Sequence, residues 1–241
     1  MDYKDISQNA RNRVPSFQTI ASAIAYEEKG TLYSEMLFML ACMERQNVRR
    51  ILESGRARGQ STLLLARALP HTEIISIEFD EHSPDVTVAQ KRLEDCKNAT
   101  LLFGDARVIL PGLVKVGDVV LIDGPKMFRA IRLALALLAT KKVVQVFVHD
   151  MGPGTHERNF LDAYLPESRF SDSRMIAEIT SVVDGSAQKV IPPHQRLDGF
   201  DGEYGYGFTL ACIPYVPGRS YRWLLLMAIL YDVRMRLMRL R

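Results

Sequence analysis

At 241 residues, 47% of them hydrophobic, the chain is long enough to bury a full core and has the size of one α/β domain with a small extension. Its three cysteines, Cys42, Cys96 and Cys212, lie far apart and without C-x-x-C spacing, which argues against a disulfide framework or a zinc site and for a reducing compartment. The net charge of +3 sits in the tail: residues 214–241 carry six arginines against Asp232, the rest of the chain sums to −2, and so the body lacks the basic surface of a nucleic-acid enzyme.

The N-terminus "MDYKDISQNARNRVPSF" has no apolar stretch behind a basic start, so it does not read as a secretory signal, and the expected location is the cytoplasm. Residues 16–28 and 32–46 read as helices, the second with Leu32, Met36, Met39, Leu40 and Met43 on one face; residues 1–47 form an N-terminal helical cover. From residue 48 short apolar runs alternate with helical segments. Strands are expected near 48–53, 73–78, 99–103, 118–122 and 143–149, and helices near 60–69, 84–96, 105–113, 126–139 and 156–164. This alternation implies a doubly wound α/β fold with a parallel sheet, and "DVVLI" and "VVQVFV" are apolar enough to be buried on both faces. Beyond 165 a strand is expected near 174–180, a Gly/Pro-bearing loop over 184–205, a last strand over 206–213, which closes a central domain of 48–213, and a basic amphipathic helix within 214–241.

In open parallel sheets ligands lie outside the carboxyl ends of the strands, near the switch point. The stretch "ILESGRARGQSTLLLARAL" breaks there into a turn bearing Gly55 and Gly59. Glycines would let the backbone approach a ligand, with the N–H groups of the following helix turned to it; a plain strand-to-helix turn is the alternative. The spacing is G-x-x-x-G rather than the G-x-G-x-x-G of dinucleotide binders. Glu78 ends the second strand, placed to accept two ribose hydroxyls, with Asp80 its rival. Asp105, after Gly104, either caps a helix or receives an adenine amino group. Asp123 and Asp150 end adjacent strands and can jointly hold a hard divalent cation, or else cap their loops.

This order of motifs resembles the class I methyltransferases that use S-adenosylmethionine, and among them the small-molecule O-methyltransferases of the catechol and caffeoyl-coenzyme A type, over roughly residues 32–165. The resemblance implies a Rossmann-like, mostly parallel seven-stranded sheet. It places Glu53, Gly55, Gly59, Ser61 and Thr62 on the family's first motif, Glu78 on its ribose acid, and Gly104, Asp105 and Ala106 on its adenine turn. Asp123 falls at the cofactor and on the first metal ligand, Lys126 on the lysine near the reacting hydroxyl, and Asp150 on the second metal ligand, for magnesium or another divalent cation. Met151 stands where the family commonly has an asparagine ligand, and a thioether suits magnesium poorly. Gly124-Pro125 and His149-Asp150 are closer to methyltransferases acting on sugars and other natural products. The expected acceptor is therefore a hydroxyl of a small molecule or saccharide. Asp123-Gly124-Pro125-Lys126 is not the Asn/Asp-Pro-Pro-aromatic run of enzymes that methylate base nitrogens. A nucleic-acid methyltransferase, or a non-catalytic scaffold that keeps the fold, are the alternatives.

Transfer from a sulfonium needs a nucleophile aligned in line and made more basic. Lys126, with a pKa lowered by burial and a nearby cation, is expected to take the proton, with His149 as the second candidate base and His156 and His194 behind it. Residues 181–205 are long enough for a lid, with Tyr204, Tyr206 and His194 facing an acceptor. In the tail, the apolar run Trp223–Tyr231 followed by Arg234, Arg236, Arg239 and Arg241 reads either as a helix in an anionic membrane surface or as one packed on the body or on a second subunit, as in a homodimer.

Overall fold

Strands such as "DVVLI" and "VVQVFV", with hardly a polar side chain, need cover on both faces, and a computed structural model of the chain supplies it in three layers. The structure describes residues 2–27, 30–185 and 209–239. The elements in chain order are α1 (Tyr3–Ser22), α2 (Tyr33–Met43), β1 (Arg50–Ser54), α3 (Gln60–Ala68), β2 (Glu73–Glu78), α4 (Pro84–Leu93), β3 (Ala99–Phe103), α5 (Ala106–Leu113), β4 (Asp118–Ile122), α6 (Phe128–Ala139), β5 (Val143–Val148), α7 (His156–Tyr164), β6 (Arg169–Phe170), α8 (Arg174–Thr180) with a 3-10 turn over Ser181–Asp184, β7 (Ala211–Pro214) and α9 (Tyr221–Arg239). The sheet order is β3-β2-β1-β4-β5-β7-β6. β1 to β5 run parallel, and β7 is antiparallel to both β5 and β6.

The period of two along each strand sorts the core. Ile51, Ile74, Val119, Leu121 and Phe147 face one way, onto α1, α2, α3 and α8. Leu52, Ile75, Val120, Ile122, Val146 and Val148 face the other, onto α5, α6, α7 and α9. The order reverses between β1 and β4, and their carboxyl ends are tied there: the Asp123 and Gly124 amides both donate to the Ser54 carbonyl, at 2.8 and 3.1 Å. That seam is the switch point at which open α/β sheets hold ligands.

Three expectations are corrected. Residues 174–180 form α8, not a strand. Their β-branched residues suggested a strand, but Ile176, Ala177 and Thr180 are buried with helical spacing, and Arg174 pairs with Glu178 at 2.9 Å one turn on. The edge strand β6 lies just before them, only two residues long. The first helix begins at Tyr3 rather than near residue 16, capped by the Asp2 side chain, and it runs through Pro15. Pro15 is exposed, so the carbonyl it leaves unbonded one turn earlier faces water. α2 is buried on every side rather than along one face. It is a central helix of its layer, in contact with α1, α3 and α8.

Candidate functional site

The turn after β1 enters the left-handed region at Gly55 (φ +84°) and crosses the end of β4. A cavity of about 300 Å³ opens beside it, lined by Gly55, Glu78, Gly104, Asp105, Ala106 and Lys126. Five of the residues assigned to the cofactor from sequence thus meet at one opening. Glu78 is fixed there by two backbone donors: its Oε2 accepts from Ala57 at 2.7 Å and its Oε1 from Phe79 at 2.8 Å. Each oxygen keeps a lone pair for a hydroxyl. Asp105 caps α5 through the Arg107 amide at 2.9 Å and pairs with the Arg107 guanidinium, which lowers its pKa. Asp80 is exposed and accepts from the His82 amide of its own turn, 2.9 Å away.

Other assigned residues lie beneath the cavity rather than on it. Glu53 is fully buried and accepts from the Ser61 and Thr62 hydroxyls, and from Ser76 Oγ at 2.7 Å. Glu53 and Ser61 thereby lock the start of α3 to β1 and β2 and set the turn's shape. Gly59 is the left-handed N-cap of α3 (φ +76°), and a Cβ there would meet Leu93 and Ala89 of α4, at 3.0 and 3.3 Å. Its lack of a side chain makes room for that helix.

Beyond Lys126 the ends of β4 and β5 carry a charged cluster. His149 Nδ1 lies 2.9 Å from Asp123 Oδ1 and 3.1 Å from Asp150 Oδ1, and its Nε2 lies 3.2 Å from Glu35 Oε2. Lys126 Nζ bridges the two aspartates, bonded to Asp123 Oδ1 and 2.7 Å from Asp150 Oδ2. Burial alone would raise the aspartates and lower the bases, but the charges outweigh it. His149 and Lys126 hold Asp123 and Asp150 below the usual carboxylate range. Asp123 and Glu35 push the His149 pKa well up, and Asp123 and Asp150 raise that of Lys126. The expected lowering at Lys126 is not found: its two carboxylates outweigh its burial, and it stands as an ammonium.

One donor atom each from Asp123, His149 and Asp150 lies within 4.8 Å of the others, a set able to hold a divalent cation. Two carboxylates and an imidazole fit such an ion. Met151 takes no part, since its side chain is buried in the apolar core on the α6 side. A second cavity, of about 340 Å³, adjoins the cluster and is lined by Lys126, Met127, Asp150, Thr155 and His156. His194, Tyr204, Tyr206 and most of the expected lid lie outside the described residues.

Two residues escaped the sequence reading. Glu35 is the lone charge in the apolar run Leu32–Met43, and that isolation was the signal available. Arg56, within the turn, is almost wholly buried, with Nη1 donating to the Ser76 carbonyl at 2.6 Å and the guanidinium 5.0 Å from the Phe103 ring centre. No signal in the sequence separated it from an exposed loop arginine.

No protein-family model matches the sequence, and none of the curated proteins does. Among solved structures, the chain is similar to the O-methyltransferase TomG from Streptomyces achromogenes, involved in tomaymycin synthesis and solved in complex with SAM: 19% identity, 88% of this chain and 90% of that one covered, TM-score 0.50. It is also similar to an O-methyltransferase from Bacillus cereus in complex with SAH, at 17% identity over 85% of this chain and 90% of that one, TM-score 0.48. With a ligand cavity at the β1/β4 switch point and the sheet order β3-β2-β1-β4-β5-β7-β6, the chain has the Rossmann-like α/β fold of the class I methyltransferases.

Proposed function

We propose that the protein is an S-adenosylmethionine-dependent O-methyltransferase acting on a hydroxyl of a small molecule or saccharide. The observation that carries this reading is the adjacency of two openings sharing Lys126. In the first, Gly55, Glu78, Gly104 and Asp105 suit a ribose and adenine; the second is lined by Asp150, which pairs with Lys126 and His149. A cofactor in the first would point its sulfonium toward an acceptor in the second, so the protein's task is alignment.

Asp123, Asp150 and His149 would hold a divalent cation, which when bound supplies Lewis-acid polarisation of the acceptor hydroxyl. Lys126, as an ammonium, orients the acceptor oxygen by donating to it rather than removing its proton; that proton passes to water as the methyl carbon leaves the sulfur and bonds to the oxygen. Asp123 and Asp150 hold that ammonium, and Glu35 holds the imidazole ring from behind. In this reading the enzyme works in the cytoplasm, at an anionic membrane surface reached through residues 221–239.

Calorimetry with S-adenosylmethionine, followed by turnover against catechols, sugars and other hydroxylated natural products, tests the reading. Transfer to a hydroxyl is expected. Cofactor binding with no turnover on any acceptor would favour a scaffold, and turnover on RNA or DNA alone would favour the nucleic-acid alternative. Chelator should abolish transfer and leave cofactor binding intact; full activity in excess chelator would remove the metal.

A further inference from the structure

α9 has two apolar faces, and the fold uses one. Tyr221, Leu224 and Ala228 are buried in the core beside α6 and α7. On the opposite side Trp223, Leu226, Leu230, Val233 and Leu237 recur at alternating intervals of three and four, and they are 51, 52, 54, 50 and 59% exposed. Ile229 and Met238 widen the stripe. An apolar face this long is not normal surface for a monomer. The helix runs antiparallel to α6: Tyr221 shares a cavity with Ala139 at the end of α6, whereas the Tyr231 ring centre lies 5.5 Å from that of Phe128 at its start. At about 1.5 Å per residue, the residues after Tyr231 carry α9 about 12 Å further, toward the carboxyl end of the sheet where Lys126 stands.

Charge decides the occupant. Along α9 the sequence places arginines at 222, 234, 236 and 239, with another at 241. The one acid, Asp232, is buried on the inner side. Arg222 and Arg234 are both exposed beside the stripe, so a second copy laid on it would bring like charges together. An anionic lipid surface complements both features, receiving the apolar side chains below its headgroups and the arginines among them. No helix among the described residues is long and apolar enough to cross a membrane, so α9 would lie in the surface plane. We propose that the outer face of α9 is a docking surface for anionic lipid. The docking stands on α9 alone. Its consequence, that the acceptor cavity opens next to the bilayer, rests on the methyl-transfer reading.

Trp223 is the chain's single tryptophan and lies in the stripe, so its emission reports the contact directly. The full-length protein should show a blue-shifted emission and co-sediment with phosphatidylcholine vesicles containing phosphatidylglycerol. With pure phosphatidylcholine, or at high salt, affinity should fall at least about tenfold. Leu226→Glu with Leu230→Glu should lower affinity for the anionic vesicles at least about tenfold, with the melting temperature and S-adenosylmethionine affinity unchanged, because both side chains face outward. Arg222→Ala with Arg234→Ala, which leaves the stripe intact, should weaken binding several-fold. Failure of the intact protein to bind either vesicle, or equal binding to both, would overturn the proposal. So would a lipid-free blue shift that grows with protein concentration alongside a dimeric mass. Docking without methyl transfer to any acceptor would sink the enzyme reading alone, and transfer without docking would sink this one.

Discussion

Glu35 Oε2 lies 3.2 Å from His149 Nε2, although 114 positions separate the two residues in sequence. The contact runs from the all-buried helix α2 to the end of β5, and it gives the imidazole a carboxylate on its far side while Asp123 and Asp150 hold the near one. Glu35→Gln keeps an acceptor for the Leu32 amide, now 2.9 Å from the carboxylate, and removes the charge. The His149 pKa should then fall, since Glu35 is one of the two charges that raise it. Methyl transfer should fall by about tenfold or more. An NMR titration of His149 with no change from the native protein would show that Glu35 does not act on the ring.

Glu78→Ala should weaken S-adenosylmethionine binding at least about tenfold, because a hydrogen bond to a charged group is worth about 1.5–3 kcal/mol. The loss has a second source, as the same carboxylate anchors the Ala57 amide, and Ala57 itself has φ +45°. Titration calorimetry measures the affinity. An unchanged value would take Glu78 out of the site.

Gly55 and Gly59 should respond differently. An alanine Cβ at Gly55 would sit 2.5 Å from the Gly124 nitrogen and 2.7 Å from the Asp123 carbonyl carbon, both backbone. Gly55→Ala should therefore cost about 2 kcal/mol or more and disrupt cofactor binding. At Gly59 the neighbours are side chains of α4, so Gly59→Ala should cost about 1 kcal/mol through its left-handed backbone and retain cofactor binding. Melting curves with a cofactor titration beside them check both; equal effects would contradict the geometry.

Asp184 is fully buried at the end of the 3-10 turn after α8, its Oδ1 accepting from the Ser34 amide at 2.9 Å. Burial raises its pKa from 3.8 to about 7. The folded state therefore binds the proton more tightly than the unfolded one. The resulting destabilisation is absent below the unfolded pKa, grows as pH rises from about 4, and is complete above about 7. Asp184→Asn keeps the acceptor and should stabilise the protein above neutral pH, by no more than about 4 kcal/mol, with no gain near pH 4. Denaturant midpoints across this range measure it, and a gain independent of pH would refute the assignment.

The inner face of α9 is part of the fold, whereas its outer face stands clear of it. Tyr221, Leu224 and Ala228 belong to the main core, and Tyr231 packs on Phe128 and Phe160 with ring centres 5.5 and 5.6 Å away. Deleting residues 220–241 should lower the melting temperature by many degrees, since each fully buried large apolar side chain contributes roughly 1.5–3 kcal/mol. A truncated form that melts like the intact chain would contradict this packing.

The sequence by itself determined the parallel strands, because "DVVLI" and "VVQVFV" can be buried only between two helical layers, and it placed Gly55, Glu78, Asp105, Asp123 and Asp150 at or just past strand ends, where the candidate site is built. Period and position are local properties, and they are legible without coordinates. Residues 174–180 misled because β-branched side chains fit either a strand or a helix, and only packing decided which. Glu53 and Glu78 look alike in sequence, each an acid at or near a strand's end; the pleat turned one under α3 and left the other at the cavity. Glu35 joined His149, and Lys126 joined Asp150 besides its near neighbour Asp123, through contacts made across the fold. Such pairings set which groups carry charge, and they depend on distances of a few ångströms that only the tertiary structure fixes.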